Sequence, residues 1–75
     1  MKIRFTDYAI MRMKMRDILE EEVLEALCQS QSKHSKGKIY PRREVWHRFG
    51  NKTLLVVYRQ GREQESIEVI NAMWE

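Results

Sequence analysis

The chain has 75 residues, 43% of them hydrophobic, with 14 Lys and Arg against 11 Asp and Glu and a net charge of +3. That length makes one domain, residues 1–75, with one small core, and the hydrophobic share excludes a disordered chain. The single cysteine, Cys28, excludes an intrachain disulfide and a thiolate-rich zinc site, and no apolar stretch approaches the ~20 residues of a membrane span. Met1-Lys2-Ile3-Arg4 is charged, unlike a signal peptide, so a cytoplasmic location is expected. A domain this small without such staples also leaves room for a second copy or a partner to complete its core.

Ile3 and Phe5 alternate with Lys2 and Arg4, which predicts a short strand over 1–5. Thr6 is the expected N-cap of a first helix over about 7–16, with Asp7 where an anion favours the helix dipole. A second helix is expected over about 20–28. There Val23, Leu24, Leu27 and Cys28 share one stripe, and Glu20, Glu21 and Glu22 sit at the positive end. Residues 29–38 are polar, with three serines and Gly37, and read as an exposed loop.

From Glu44 the period becomes two. A strand is expected over 44–49, a two-residue turn at Gly50-Asn51, and a second strand over 53–58. That turn sets Phe49 opposite Lys52, His47 opposite Leu54, Val45 opposite Val56 and Arg43 opposite Tyr58. Residues 61–65 form the next reversal, and 67–74 supply a last strand. Pro41 belongs at a strand edge or a bend, because it cannot donate to a ladder. The order is β-α-α-β-β-β, an α+β domain with both helices packed on one side of an antiparallel sheet.

Leu54-Leu55-Val56-Val57 is apolar on both faces, yet two short helices cover only one. The other face needs shielding by Arg and Lys stems, by Trp46 and Trp74, or by another chain in a homodimer or partner complex.

Charge is sorted along the chain. Lys33, Lys36, Lys38, Arg42, Arg43, Arg48, Lys52, Arg59 and Arg62 face a single acid, Glu44, whereas the last thirteen residues hold four glutamates and no base. Cations fixed on a sheet attract polyanions, RNA among them, because each neutralised phosphate releases a condensed counterion. The competing reading is an ordinary solvated surface.

Tyr8, Arg12 and Arg16 stand at i, i+4 and i+8 and line one side of the first helix, a row able to follow phosphates. Alternatively, Arg16 pairs with Glu20 and Arg12 covers the sheet edge. His47, near Arg43, Arg48 and Arg59, is a candidate proton acceptor, with Tyr58 as a second proton-transfer group. A metal-free ribonuclease needs such groups, plus cations for the charged phosphorus centre, for which Arg42, Arg43, Arg48 and Arg59 are the candidates. The simpler role for His47 is half-buried packing against Leu54. Trp46, Tyr58 and Tyr40 interleave with the arginines, as base stacking or plain packing would require. Met13 reads as core lining rather than as part of a methionine box with Met11 and Met15. No Gly-rich phosphate loop, nucleophile elbow, paired-carboxylate site or His/Asp metal cluster occurs, so neither a cofactor nor a metal is expected.

The opening Phe5-Thr6-x-Tyr8-Ala9-x-x-Arg12-Met13-x-x-Arg16-x-Ile18-x-x-Glu21-x-Val23 resembles a widespread prokaryotic domain-of-unknown-function family of short proteins. Its members typically begin F-T-x-H-A-x-x-R-M-x-x-R-x-I and continue through a polar loop, a Leu/Val-Val-Tyr strand and a terminal strand ending near an aromatic. Here those strands are 54–58 and 67–74, so the resemblance spans almost the whole chain. The family looks like a compact relative of the RelE/ParE and barnase-like toxins, many of them metal-independent ribonucleases neutralised by an antitoxin. The resemblance therefore implies a RelE-like fold and a cytoplasmic, RNA-directed toxin, with an antitoxin covering the open sheet face. It carries Arg12 and Arg16 over as motif positions and Arg59 as the residue after the Val-Val-Tyr strand. Tyr8 stands where the family usually has histidine, so a phenol would replace the imidazole, or the chain would be inactive. The alternatives are a non-catalytic basic binding module and a small homodimer whose charges only keep it soluble.

Overall fold

A computed structural model describes residues 2–29, 42–63 and 65–75, together with the strand course of residues 32–34. The elements are β1 (Lys2–Phe5), α1 (Asp7–Met15), α2 (Glu20–Gln29), β2 (Ser32–His34), β3 (Arg42–Phe49), β4 (Lys52–Gln60) and β5 (Ser66–Trp74). They form an α+β domain with one five-stranded sheet in the order β1-β5-β4-β3-β2.

Each helix begins and ends where local chemistry requires. Thr6 is extended at ψ 158, and its Oγ1 accepts the Ala9 amide at 3.0 Å, the expected N-cap. At the other end Asp17 takes φ 54 and the Ile18 amide closes on the Met13 carbonyl at 2.9 Å, which stops α1. Glu22 reaches back to accept the Leu19 amide at 2.9 Å, so α2 starts with the carboxylate half of a capping box.

The β3–β4 hairpin has the expected register, including Arg43 with Tyr58, Val45 with Val56, His47 with Leu54 and Phe49 with Lys52. Gly50 supplies φ 62 at the first central position of its turn, the position at which a II′ turn needs glycine. β5 returns antiparallel to β4, with a bulge that leaves Ile70 unpaired between Tyr58–Val69 and Val57–Asn71.

Two expectations are corrected. The sheet is mixed, because β1 runs parallel to β5, with Ile3 beside Ile67 and Phe5 beside Val69. An alternating strand presents the same faces in either direction, and the two-helix crossover between β1 and the rest of the sheet permits parallel pairing. The expected loop over 29–38 also contains β2, a three-residue edge strand antiparallel to β3. Gln29 belongs to α2, and the rest of that loop and the expected bend at Pro41 lie outside the described residues.

One face of the sheet carries the core. Leu54, Val56, Val45, Val69 and Ala72 pack there against Ala9 and Met13 of α1 and Val23 and Ala26 of α2, with Ile3, Phe5, Phe49 and Trp74 at the margin. On the other, open face Leu55 is only 7% exposed, flanked in register by Trp46 and Met73. Trp74, expected as a possible cover there, pairs with Leu54 and belongs to the core side. No helix among the described residues is long and apolar enough to cross a membrane.

Candidate nucleic-acid interface

Pairing places Arg4 beside Glu68, Glu68 beside Arg59, and Arg59 beside Arg42. Directly opposed residues share a face, so these four side chains form one row across β1, β5, β4 and β3 on the open face. Glu68 is engaged: its Oε1 accepts from Arg59 Nε and Nη2, both at 2.8 Å. Glu63 is drawn to Lys2 at 3.3 Å. Arg4 and Arg62 have no acidic partner among the described residues. Both line, with Arg59, Gly61, Ser66 and the two engaged carboxylates Glu63 and Glu68, a cavity of about 340 Å³. With Arg59 held by Glu68, Arg4 and Arg62 are the guanidiniums at this recess left to offer a phosphate charge-assisted hydrogen bonds.

Gly61 shapes this recess. Its amide donates to the Ser66 carbonyl at 2.9 Å, and Ser66 Oγ donates to the Glu63 carbonyl at 2.6 Å. A Cβ on Gly61 would fall on Ser66 Oγ. Gly61→Ala is expected to destabilise the fold by about 1–3 kcal/mol, by displacing that buried hydroxyl from its acceptor. Thermal unfolding of Gly61→Ala and of the Gly61→Ala/Ser66→Ala pair checks this; the second change should recover part of the loss, and equal midpoints for the two would contradict it.

The expected phosphate ligands separate. Arg42 and Arg59 lie on the open face, whereas Arg43, one residue on, turns to the helix-covered face beside Tyr58. Arg48 also lies on the open face, but at the hairpin end, where its Nε donates to the Gly50 carbonyl at 2.8 Å. Arg16 is a structural group: its Nη1 donates to Asn71 Oδ1 at 3.1 Å and to the Ala72 carbonyl at 2.8 Å, and its own carbonyl accepts Trp74 Nε1 at 3.1 Å. Arg12 lies over the Tyr8 ring, 5.4 Å from its centroid, and its buried Nε finds no acceptor among the described residues.

The expected proton-transfer groups are dispersed as well. His47 is on the helix-covered face, its Nε2 3.2 Å from Glu25 Oε2 and its ring edge-to-face with Phe49 at 4.8 Å. Glu25, an acid of α2, is thus a charged neighbour of His47. Tyr58 is 8% exposed and belongs to the core cluster. Tyr8 stands at the start of α1, 48% exposed. Tyr40 lies outside the described residues. No group of three or more His, Cys, Asp and Glu among the described residues is placed to hold a metal.

Sequence reasoning passed over Arg4 and Arg62 as site residues. Arg4 was legible as the outward partner of Ile3 and Phe5, but only its pairing to β5 brings it to Arg59. Among the described residues, every large hydrophobic side chain with high exposure (Tyr8, Ile10, Met11, Met15 and Leu19) lies on α1 or the turn after it. Met13 points inward at 3% exposure, as expected.

No protein-family model, characterised protein or solved structure matches the chain.

Proposed function

We propose that this protein binds single-stranded RNA along the open face of its sheet, without cleaving it, and seats a backbone phosphate between Arg4, Arg59 and Arg62. The observation that carries the reading is the pair of arginines, Arg4 and Arg62, that line one recess and lack an acidic partner among the described residues. Arg42 extends the row toward β2. The resemblance of the opening motif to a domain-of-unknown-function family that looks like a relative of RelE-like toxins directs the choice among polyanions to RNA. A neutralising antitoxin would compete for the same cationic face.

Catalysis has weaker support, because His47, Tyr58 and Tyr8 occupy three separate places and none shares the recess with Arg4 and Arg59. The juxtapositions that favour a ribonuclease are Tyr8 under Arg12 and Tyr58 beside Arg43.

Fluorescence anisotropy with a labelled oligouridylate tests the binding reading. For a single strand, log K falls with log salt at a slope of about −0.7 per phosphate neutralised. Arg4→Ala/Arg62→Ala should weaken low-salt binding by roughly 10–100-fold and flatten that slope by about 1.4. Absence of binding by the wild type, or an unchanged slope in the variant, overturns the proposal. Incubating end-labelled RNA in EDTA tests the ribonuclease: intact RNA is expected, and fragments that vanish in Tyr8→Phe would reinstate it.

A further inference from the structure

A second cavity lies on the helix-covered face, away from the cationic row. It measures about 530 Å³ and is walled by Ile3, Ile67 and Leu27, with Cys28, Arg43 and Tyr58 among its other lining residues. Its size falls in the range of small-ligand sites, and so does its chemistry, an apolar floor with a few convergent polar groups.

The polar groups define what fits. Arg43 and Tyr58 are register partners on adjacent strands, so guanidinium and phenol project from the same face side by side. Arg43 is exposed and has no carboxylate partner among the described residues. Tyr58 sits in the core cluster and lines the cavity, and no hydrogen bond engages its hydroxyl among the described residues. Gln60, the remaining polar lining group, already donates its Nε2 to the Ser66 carbonyl at 3.1 Å. The free donors are thus one cation and one neutral O–H. Together they match a planar monoanion with two oxygens; a phosphate dianion would call for more positive charge.

We propose that this cavity binds a small amphipathic carboxylate, its head group held by Arg43 and Tyr58 and its apolar body laid on Ile3, Leu27 and Ile67. The site is independent of RNA binding, since its cation is on the opposite face from Arg42 and Arg59. Cys28 is exposed and lines the cavity, so it serves as a reporter.

The test is the rate at which iodoacetamide alkylates Cys28 in the full chain, with octanoate as the probe. Octanoate should slow alkylation saturably; octanol, which lacks the anion, and acetate, which lacks the body, should not at the same concentrations. Arg43→Ala should raise the half-protecting concentration about ten-fold and Tyr58→Phe about three-fold, as loss of a charge-assisted and a neutral hydrogen bond predicts. Circular dichroism confirms that each variant is folded, and Arg43→Gln stands in if Arg43→Ala is not. No protection at any soluble octanoate concentration overturns the assignment. So does equal protection by octanol, or protection that Arg43→Ala and Arg43→Gln leave unchanged.

Discussion

Leu54→Ala should cost about 2–5 kcal/mol, the range for emptying a leucine-sized space in a packed core. Leu54 is 0% exposed and sits at the centre of the sheet, between His47 and Trp74 in register and beneath the helices. A chain of this length has roughly 4–11 kcal/mol of total stability. This one substitution therefore takes a large share and should lower the unfolding midpoint by more than about 10 °C. Leu55→Ala next door should cost distinctly less, about 1–2 kcal/mol. Leu55 is nearly as buried, at 7% exposure, but its cover is a single layer of neighbours on the open face, which relaxes into the space left behind. Urea unfolding of the two variants at two protein concentrations settles the comparison. A Leu55→Ala loss as large as that of Leu54→Ala, shrinking as the protein is diluted, would mean that a second copy covers the open face and contributes to its stability.

That pair of leucines also marks where the sequence stops being legible. The hairpin of β3 and β4 could be read residue by residue, because a two-residue turn fixes every opposed pair and the glycine at φ 62 fixes the turn. The caps were equally local: Thr6 and Asp7 announce α1 within three residues. What could not be read is what depends on distant pairing. The direction of β1, the alliance of Arg4 with Arg59 and Arg62, and the seat of Arg16 on β5 all join residues more than fifty positions apart. The separation of Arg42 from Arg43 follows from strand alternation, which divides the basic run between the two faces of the sheet. His47 shows the opposite limit. Its basic strand neighbours were visible, whereas Glu25, a charged neighbour 3.2 Å away, comes from a helix whose placement over β3 no local pattern announces.

Arg16→Ala should destabilise the fold by about 2–3 kcal/mol while leaving RNA affinity within about two-fold of wild type. As one member of a row with Tyr8 and Arg12, Arg16 invites a role in phosphate binding. Its Nη1 instead spans the Asn71 amide oxygen and the Ala72 carbonyl, on the stretch of β5 that β1 does not reach. β1 pairs only as far as Val69, so the outer carbonyls beyond it lack a strand partner, and Arg16 supplies a charged donor where α1 packs against β5. Removing the guanidinium strips a part-buried carbonyl of its donor, which costs more than the bond itself contributed. Asn71→Ala removes one of the two acceptors and should cost less. The double variant should fall short of the sum by at least ~0.5 kcal/mol, because both act on one hydrogen-bonded unit. Denaturation curves for the three variants, read beside their RNA isotherms at a temperature where each is folded, separate the two roles. Full stability with a flattened salt slope in Arg16→Ala would move Arg16 to the RNA surface and extend the interface from the open face of the sheet to α1.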